Sequence, residues 1–206
     1  MSIKKKTCLI AMMCLLLLHT KVQGQVPGKN YVSIGAGFPN LPRFFFNTLS
    51  SKDKFTSSGT GPYHLKYENR VYSWLGLGVS INHMTYKVSY KENVLDTANG
   101  IIVPNQVEIS NNNTAVNLRS NFHFINPEKY EHLDVYMGLG FGYRFGKLRI
   151  SSEYQGYTPS IKLPGLSKLG AEVTFGMRYF IDKNIGFYTE LGIAKSIVQA
   201  GLTARF

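Results

Sequence analysis

The sequence contains only two cysteines, Cys8 and Cys14, and both lie within its first 24 residues. These 24 residues have the layout of an export signal: three consecutive lysines, an apolar run, and small or modest residues at the expected cleavage position. We predict a signal peptide over residues 1–24 and one mature domain over residues 25–206. A mature domain without cysteine has no disulfide, no cysteine nucleophile and no thiolate metal site.

Long apolar runs and clusters of basic residues are missing as well. The run from Cys8 to Leu18 is shorter than the roughly 20 residues that a membrane-spanning helix needs. Removing Lys4, Lys5, Lys6 and Lys21 leaves 19 basic and 12 acidic residues, a net charge of +7. This charge suits an anionic surface such as lipopolysaccharide or lipid headgroups, and nucleic acid is a poor partner for an exported chain.

Glycine is abundant in LDVYMGLGFGYRFG, residues 133–146, but its spacing excludes a phosphate-binding loop. A dinucleotide loop needs Gly-x-Gly-x-x-Gly between a strand and a helix, whereas the spacing from Gly140 is Gly-x-Gly-x-x-x-Gly without a helix cap. Alternate positions instead separate the bulky residues from the glycines. The stretch is therefore predicted to be a strand with one bulky and one nearly bare face.

The same two-residue alternation recurs along the whole mature chain. It predicts eight strands, at residues 31–38, 62–69, 74–81 and beyond, 116–124, 133–146, 170–181, 185–193 and 198–206. Long polar links at about 39–60, 91–108 and 147–167 alternate with short turns at 69–73, 126–132 and 182–184. This alternation is typical of outer-membrane barrels, which have short periplasmic turns and long extracellular loops.

The composition of the polar faces indicates which side of the sheet is outside. A soluble barrel or sandwich would turn its apolar face inward and cover its exterior with charged and hydroxyl side chains. Here the polar faces are poor in lysine and rich in glycine, which leaves room for side chains inside a narrow barrel. We predict an all-β, eight-stranded antiparallel up-and-down transmembrane barrel whose bulky face contacts lipid.

The C-terminal segment QAGLTARF carries a more specific pattern. The mature chain resembles the small eight-stranded outer-membrane barrels of the OmpA and OmpX type over residues 25–206. In that resemblance Gln199, Gly201, Ala204 and Phe206 occupy the places of the family's assembly signal, although Ala204 is smaller than usual. The resemblance implies the outer membrane of a Gram-negative-type bacterium, with recognition by the barrel assembly machinery.

The interior of an eight-stranded barrel is just wide enough for side chains to fill it. Inward-facing charges must then pair with one another, because an unpaired buried charge is costly. The residues predicted to form this lumen network are Arg119, Arg144, Glu172, Arg178 and Glu190. We therefore expect a filled lumen and no diffusion pore.

Catalytic candidates are few. His83 and Thr85 share one strand face and could act as base and nucleophile, but no third member can be placed beside them. His64 and His123 are interpreted as isolated wall residues, and no metal or nucleotide motif is present. We predict no enzymatic activity and no cofactor; a lipid A-modifying enzyme or a narrow channel is the least favoured alternative.

The third strand continues past Ile81, but its apolar residues change phase. Met84, Tyr86, Val88 and Tyr90 alternate on the face opposite to that of the preceding apolar residues. This change predicts a bulge or twist where a hairpin leaves the membrane. The hairpin is then either an extracellular blade that binds a partner or a solvated hairpin without one. The favoured function is thus a monomeric structural, adhesion or partner-binding barrel acting through its loops. The alternative is an accessory subunit of a larger outer-membrane assembly or secretion complex.

Overall fold

A computed structural model of the chain describes residues 30–41, 56–96, 100–126, 129–153, 168–193 and 195–206. The predicted signal peptide, residues 1–24, lies outside these ranges. The strands are β1 (Asn30–Phe38), β2 (Thr56–Ser58), β3 (Tyr63–Tyr72), β4 (Leu75–Asp96), β5 (Ile101–His123), β6 (Leu133–Ser152), β7 (Leu169–Phe180), β8 (Ile185–Ile193) and β9 (Val198–Arg205). No helix within the described ranges is long and apolar enough to cross a bilayer.

Eight of these strands close into a barrel. The ring order is β1, β3, β4, β5, β6, β7, β8 and β9, with β9 pairing back onto β1, and every pair is antiparallel. The seam runs from Tyr31 opposite Arg205 to Phe38 opposite Val198. The predicted fold class, an eight-stranded up-and-down barrel, is confirmed. Closure satisfies the edge hydrogen bonds that an open sheet would leave exposed.

The bulky face points outward and the sparse polar face points inward. Phe141 is 62% exposed and Ile193 is 78% exposed, whereas Tyr136 and Glu172, at alternating inward positions, are 1% and 2% exposed. An apolar exterior around a polar interior is the reverse of a soluble protein. It suits a barrel whose outer surface contacts lipid.

The turns at the periplasmic end are short, as predicted. Ile181 N donates to Ile185 O at 3.0 Å and closes the turn at 182–184. The turn between β3 and β4 is even shorter than predicted, because it contains only Ser73 and Trp74.

At the extracellular end β4 and β5 extend much further than predicted. Their pairing is continuous from Leu75 opposite Phe122 to Asp96 opposite Ile101. The predicted link at 91–108 and the predicted bulge are therefore wrong. The apolar phase changes because the inward positions of β4 switch from polar, as at Asn82, to apolar, while the backbone alternation continues.

The strand β2 was not predicted, because the alternation of three small polar residues is too short to be recognised. It lies within the segment predicted as a polar link and pairs with the outer part of β4, with Thr56 opposite Ser89 and Ser58 opposite Lys87. The strand β6 also continues to Ser152, beyond its predicted end, and pairs with β5 up to Val107. The hairpin of β4 and β5 is thus supported by a strand on each side.

Candidate functional site

The periplasmic end of the lumen contains a cluster of five charged or titratable residues, here called the periplasmic charge cluster. Arg178 pairs with Glu68 and donates to Asp134 Oδ2 at 3.1 Å, and Arg70 donates to Asp134 Oδ1 at 2.9 Å. His123 lies between the two carboxylates, with 2.7 Å from Nδ1 to Asp134 and 2.7 Å from Nε2 to Glu68. All five side chains are buried. Each carboxylate therefore contacts an arginine and the histidine, which offsets the cost of burying it.

A second cluster, the central charge cluster, fills the middle of the bore. Arg119 donates to Glu190 at 2.8 Å and to Glu172 at 3.2 Å. Lys66 Nζ lies 2.7 Å from Glu190 Oε2, and the Tyr136 hydroxyl donates to Glu190 Oε1 at 2.7 Å. These contacts join strands that are not neighbours in the ring. The arrangement can hold the wall together and block the bore.

The structure places four of the five charges that the sequence assigned to the lumen in these two clusters. Arg119, Glu172 and Glu190 belong to the central cluster, and Arg178 belongs to the periplasmic one. Arg144 lies elsewhere, half-buried near the extracellular mouth. The interpretation of His123 as an isolated wall residue is wrong, because it bridges two carboxylates.

Sequence reasoning missed several members of these clusters. They are Lys66, Glu68, Arg70, Asp134 and Tyr136. Each of them occupies an inward position of its strand, so strand parity alone would have found them once the bulky face was assigned to lipid.

The extracellular mouth is crossed by Lys195, from the link between β8 and β9. Its ammonium donates to Asn82 O at 2.8 Å, to Asn113 O at 3.1 Å and to Asn113 Oδ1 at 3.2 Å. In the ring, β4 and β5, which carry these acceptors, lie opposite β8 and β9. The side chain therefore spans the bore. Burial, together with the positive charge of Arg144, lowers the pKa of Lys195 to about 7.

The four residues proposed to carry a binding blade are all buried. Met84, Tyr86, Val88 and Tyr90 are between 1% and 6% exposed. The apolar cluster of the hairpin consists of Tyr86, Val88, Tyr90, Val107 and Ile109, with Leu148 of β6 packed against it. These side chains hold the hairpin together, and Tyr86 and Leu148 also line the open cavity at the extracellular mouth.

Exposed apolar side chains occur at the tip of the hairpin instead. Ile101 is 55% exposed and Ile102 is 69% exposed. Both lie in the segment at 91–108 that was predicted to be a polar link. An apolar surface at this position is available to a partner outside the membrane.

His83 and Thr85 form hydrogen bonds with different threonine hydroxyls. His83 Nδ1 lies 2.9 Å from the hydroxyl of Thr114, on the neighbouring strand, and the Thr85 hydroxyl lies 2.8 Å from that of Thr60. The base and nucleophile considered from the sequence therefore engage different partners. This geometry gives no support to nucleophilic catalysis at His83.

The four residues of the predicted assembly signal lie along the seam strand. Gln199 accepts a hydrogen bond from Lys66 Nζ at 2.7 Å in the lumen. Phe206 is 65% exposed on the outside, and its backbone N and O both bond to Asn30 at 3.0 Å. Gly201 faces β1 so closely that a side chain there would collide with backbone atoms, and Ala204 lies opposite Val32. All four positions thus lie opposite β1 in the seam that closes the barrel.

Strand pairing and burial define the chain as a closed eight-stranded antiparallel β-barrel with an apolar, lipid-facing outer wall and a polar interior. Among solved structures it is similar to Ail, the attachment invasion locus protein of Yersinia pestis, with 11% identity over 87% of this chain and 99% of that chain and a TM-score of 0.38. A structure of Ail in a phospholipid bilayer nanodisc has 17% identity, the same coverage and a TM-score of 0.36. A third, of Ail in complex with the heparin analogue sucrose octasulfate, has 11% identity, the same coverage and a TM-score of 0.34. No protein-family model and no curated protein matches the chain.

Proposed function

We propose that this chain is a monomeric, non-enzymatic outer-membrane barrel that binds a partner through the extracellular hairpin of β4 and β5, residues 84–96 and 101–113. One observation carries the proposal. The two strands are 22 and 23 residues long, about twice the 9 to 11 residues that a membrane-spanning strand needs. The excess of roughly 11 residues per strand corresponds to roughly 35 Å of paired sheet beyond the membrane.

The hairpin has the construction of a rigid arm. Its strands pair without interruption, and its own apolar cluster includes Val88 and Val107, which are 1% and 0% exposed. A rigid arm loses little conformational entropy when it binds. The exposed pair of Ile101 and Ile102 at the tip provides an apolar anchor for a protein partner.

Export depends on residues 1–24, and assembly by the barrel assembly machinery depends on the C-terminal strand ending in Phe206. Lipid and lipopolysaccharide surround the bulky wall. The filled lumen is a structural plug, because its charged groups are occupied by one another.

The decisive experiment replaces residues 86–107 by a short turn and compares the proteins that co-purify from detergent-solubilised outer membranes. We expect the trimmed barrel to fold and to lose its partner, because the deleted part lies beyond the membrane. The double variant Ile101→Ser, Ile102→Ser is the matched test of the tip, since it leaves the hairpin in place. If the trimmed barrel keeps the same neighbours, the contact lies on the lipid-facing wall or the periplasmic turns, as the accessory-subunit alternative requires.

A further inference from the structure

The barrel wall is much lower at β8 and β9 than at β4 and β5. The strand β8 ends at Ile193 and β9 begins at Val198, whereas β4 and β5 continue to Asp96 and Ile101. In the ring these two pairs of strands are opposite each other. The short link between β8 and β9 therefore faces, across the bore, the root of the extracellular hairpin, where β4 and β5 rise above the rest of the wall.

Lys195 of this link reaches across the bore to the root of the hairpin. Its ammonium donates to Asn82 O on β4 at 2.8 Å, and to Asn113 O and Oδ1 on β5 at 3.1 and 3.2 Å. Asn113 is the last residue of the hairpin, and Asn82 lies just before its start. The contact therefore ties both strands of the hairpin, at their base, to the far wall of the barrel.

The link itself is held in place. Gly192 N donates to Ile197 O at 2.9 Å, and Leu41 N donates to Lys195 O at 3.2 Å. Ser196, the next residue of the link, is 0% exposed. A side chain that starts from a fixed link and ends on two paired strands acts as a strut. The orientation of the hairpin relative to the barrel therefore depends on the Lys195 contact.

The ammonium of Lys195 is buried, and its hydrogen-bond partners carry no charge. The residue is 5% exposed, and within the described ranges its ammonium bonds to uncharged oxygens and forms no ion pair with a carboxylate. The charged groups that face it are Arg144 of β6 and Glu172 of β7, and His64 of β3 lies beside Ser196. Burial and the charge of Arg144 lower the pKa of Lys195 to about 7, so the tied state favours the neutral amine.

We propose that Lys195 is a proton-dependent strut: uptake of a proton releases its side chain into water and frees the hairpin to tilt at its root. In water the pKa of a lysine is about 10.4, so release takes up a proton at any pH between about 7 and 10. Acidification over this range favours the released state. Below about pH 7 the lysine is charged in both states, and no further change follows. The regulation rests on the proposed function, because a tied hairpin is pre-organised for its partner and a released one is not.

The test measures the orientation of the hairpin in the full barrel, in phosphatidylcholine nanodiscs and without a partner. Residues 25–206 contain no cysteine, so spin labels at Ile102→Cys on the tip and Ile193→Cys on β8 report one distance by pulsed electron paramagnetic resonance. Both positions are exposed. We expect a narrow distance distribution at pH 9. The ratio of released to tied molecules, read from a broad component, should rise by about tenfold per pH unit towards pH 7 and level off below it.

Two variants at the strut should change the distribution in opposite directions. Lys195→Met removes the ammonium, so the broad component should be present at every pH. Asn113→Asp places a carboxylate oxygen where Oδ1 lies 3.2 Å from the ammonium. This carboxylate favours the charged lysine in the tied state and should keep the distribution narrow at pH 7. Lys183→Met removes a positive charge from the periplasmic turn at 182–184 and should behave as wild type.

A wild-type distribution that is the same at pH 9 and pH 7 would overturn the proposal, and so would a pH response that persists in Lys195→Met. A gel shift on boiling checks that each variant is folded. If Lys195→Met does not assemble, a broad distribution of Asn113→Asp at pH 7 contradicts the strut. Co-purification with the trimmed hairpin tests the partner separately. A pH response without a partner supports the strut and removes the proposed function, and a partner without a pH response does the reverse.

Discussion

Glu68 on β3 and Arg178 on β7 form a direct ion pair across the full width of the bore. These strands are diametrically opposite in the ring, so the pair ties together two walls that share no backbone hydrogen bonds. Arg178 also donates to Asp134, and both carboxylates contact His123. The pair is therefore the centre of the periplasmic charge cluster.

We expect Arg178→Met to destabilise the barrel by about 3 to 5 kcal/mol, because it leaves the buried Glu68 carboxylate without its arginine partner. Urea unfolding in detergent micelles measures the change in the free energy of unfolding. Lys87→Met is the control: it breaks an ion pair with Glu108 at 2.8 Å whose side chains are half to one-third exposed, and should cost less than about 1 kcal/mol. An equal loss of unfolding free energy in the two variants would show that burial in the lumen does not make the Glu68–Arg178 pair more stabilising than an exposed pair.

The glycines of β6 give a second prediction. A methyl group at Gly140 would collide with the side chain of Glu172, which Arg119 and Ser80 hold in place. Gly146 also faces inward on β6, but a methyl group there would approach no atom closer than 3.4 Å. We expect Gly140→Ala to cost about 1 to 3 kcal/mol through overpacking, and Gly146→Ala to be close to neutral in the same unfolding assay. A neutral Gly140→Ala would mean that the central cluster is loosely packed.

The seam between β1 and β9 gives a third prediction. Phe206 completes it through two backbone hydrogen bonds to Asn30, and its ring lies exposed on the outer surface. We expect deletion of Phe206 to reduce the amount of folded barrel, measured as the band that shifts on a gel only after boiling. Phe206→Tyr keeps both the backbone bonds and the aromatic ring and should assemble normally. A normal yield after the deletion would show that the seam closes without its last residue.

Much of this fold follows from alternation alone. The stretch of residues 133–146 was predicted to be a strand with an outward bulky face, and Val135 to Phe145 do alternate with inward glycines, Tyr136 and Arg144. Strand parity is a local property of the backbone, so one sequence suffices to read it. The direction of each face followed from the scarcity of lysine and the abundance of glycine on the polar side.

The pairing of charges could not be predicted in the same way. Glu68 and Arg178 are 110 residues apart, and their contact depends on the registers of all the strands between them. The bulge and the link at 91–108 were wrongly predicted for a related reason. The inward face of the hairpin becomes apolar above the membrane. Alternating apolar residues indicate lipid contact within the membrane, but in the hairpin they form a small extracellular core.

That extracellular core gives the last prediction, which separates the hairpin from the barrel. Ile109 is 1% exposed within the apolar cluster, and Ile102, on the same strand, is 69% exposed at the tip. In Ile109→Asn an amide replaces buried apolar surface, with a loss of about 1.5 to 3 kcal/mol from burial alone and a further cost if the amide finds no partner. We expect limited proteolysis to cut the hairpin of Ile109→Asn at protease concentrations that spare wild type and Ile102→Asn.

The barrel of Ile109→Asn should still migrate differently on a gel before and after boiling, since its hydrogen bonds close independently of the hairpin. If Ile109→Asn abolishes that difference as well, the hairpin and the barrel unfold as one unit, and the arm is part of what holds the barrel closed.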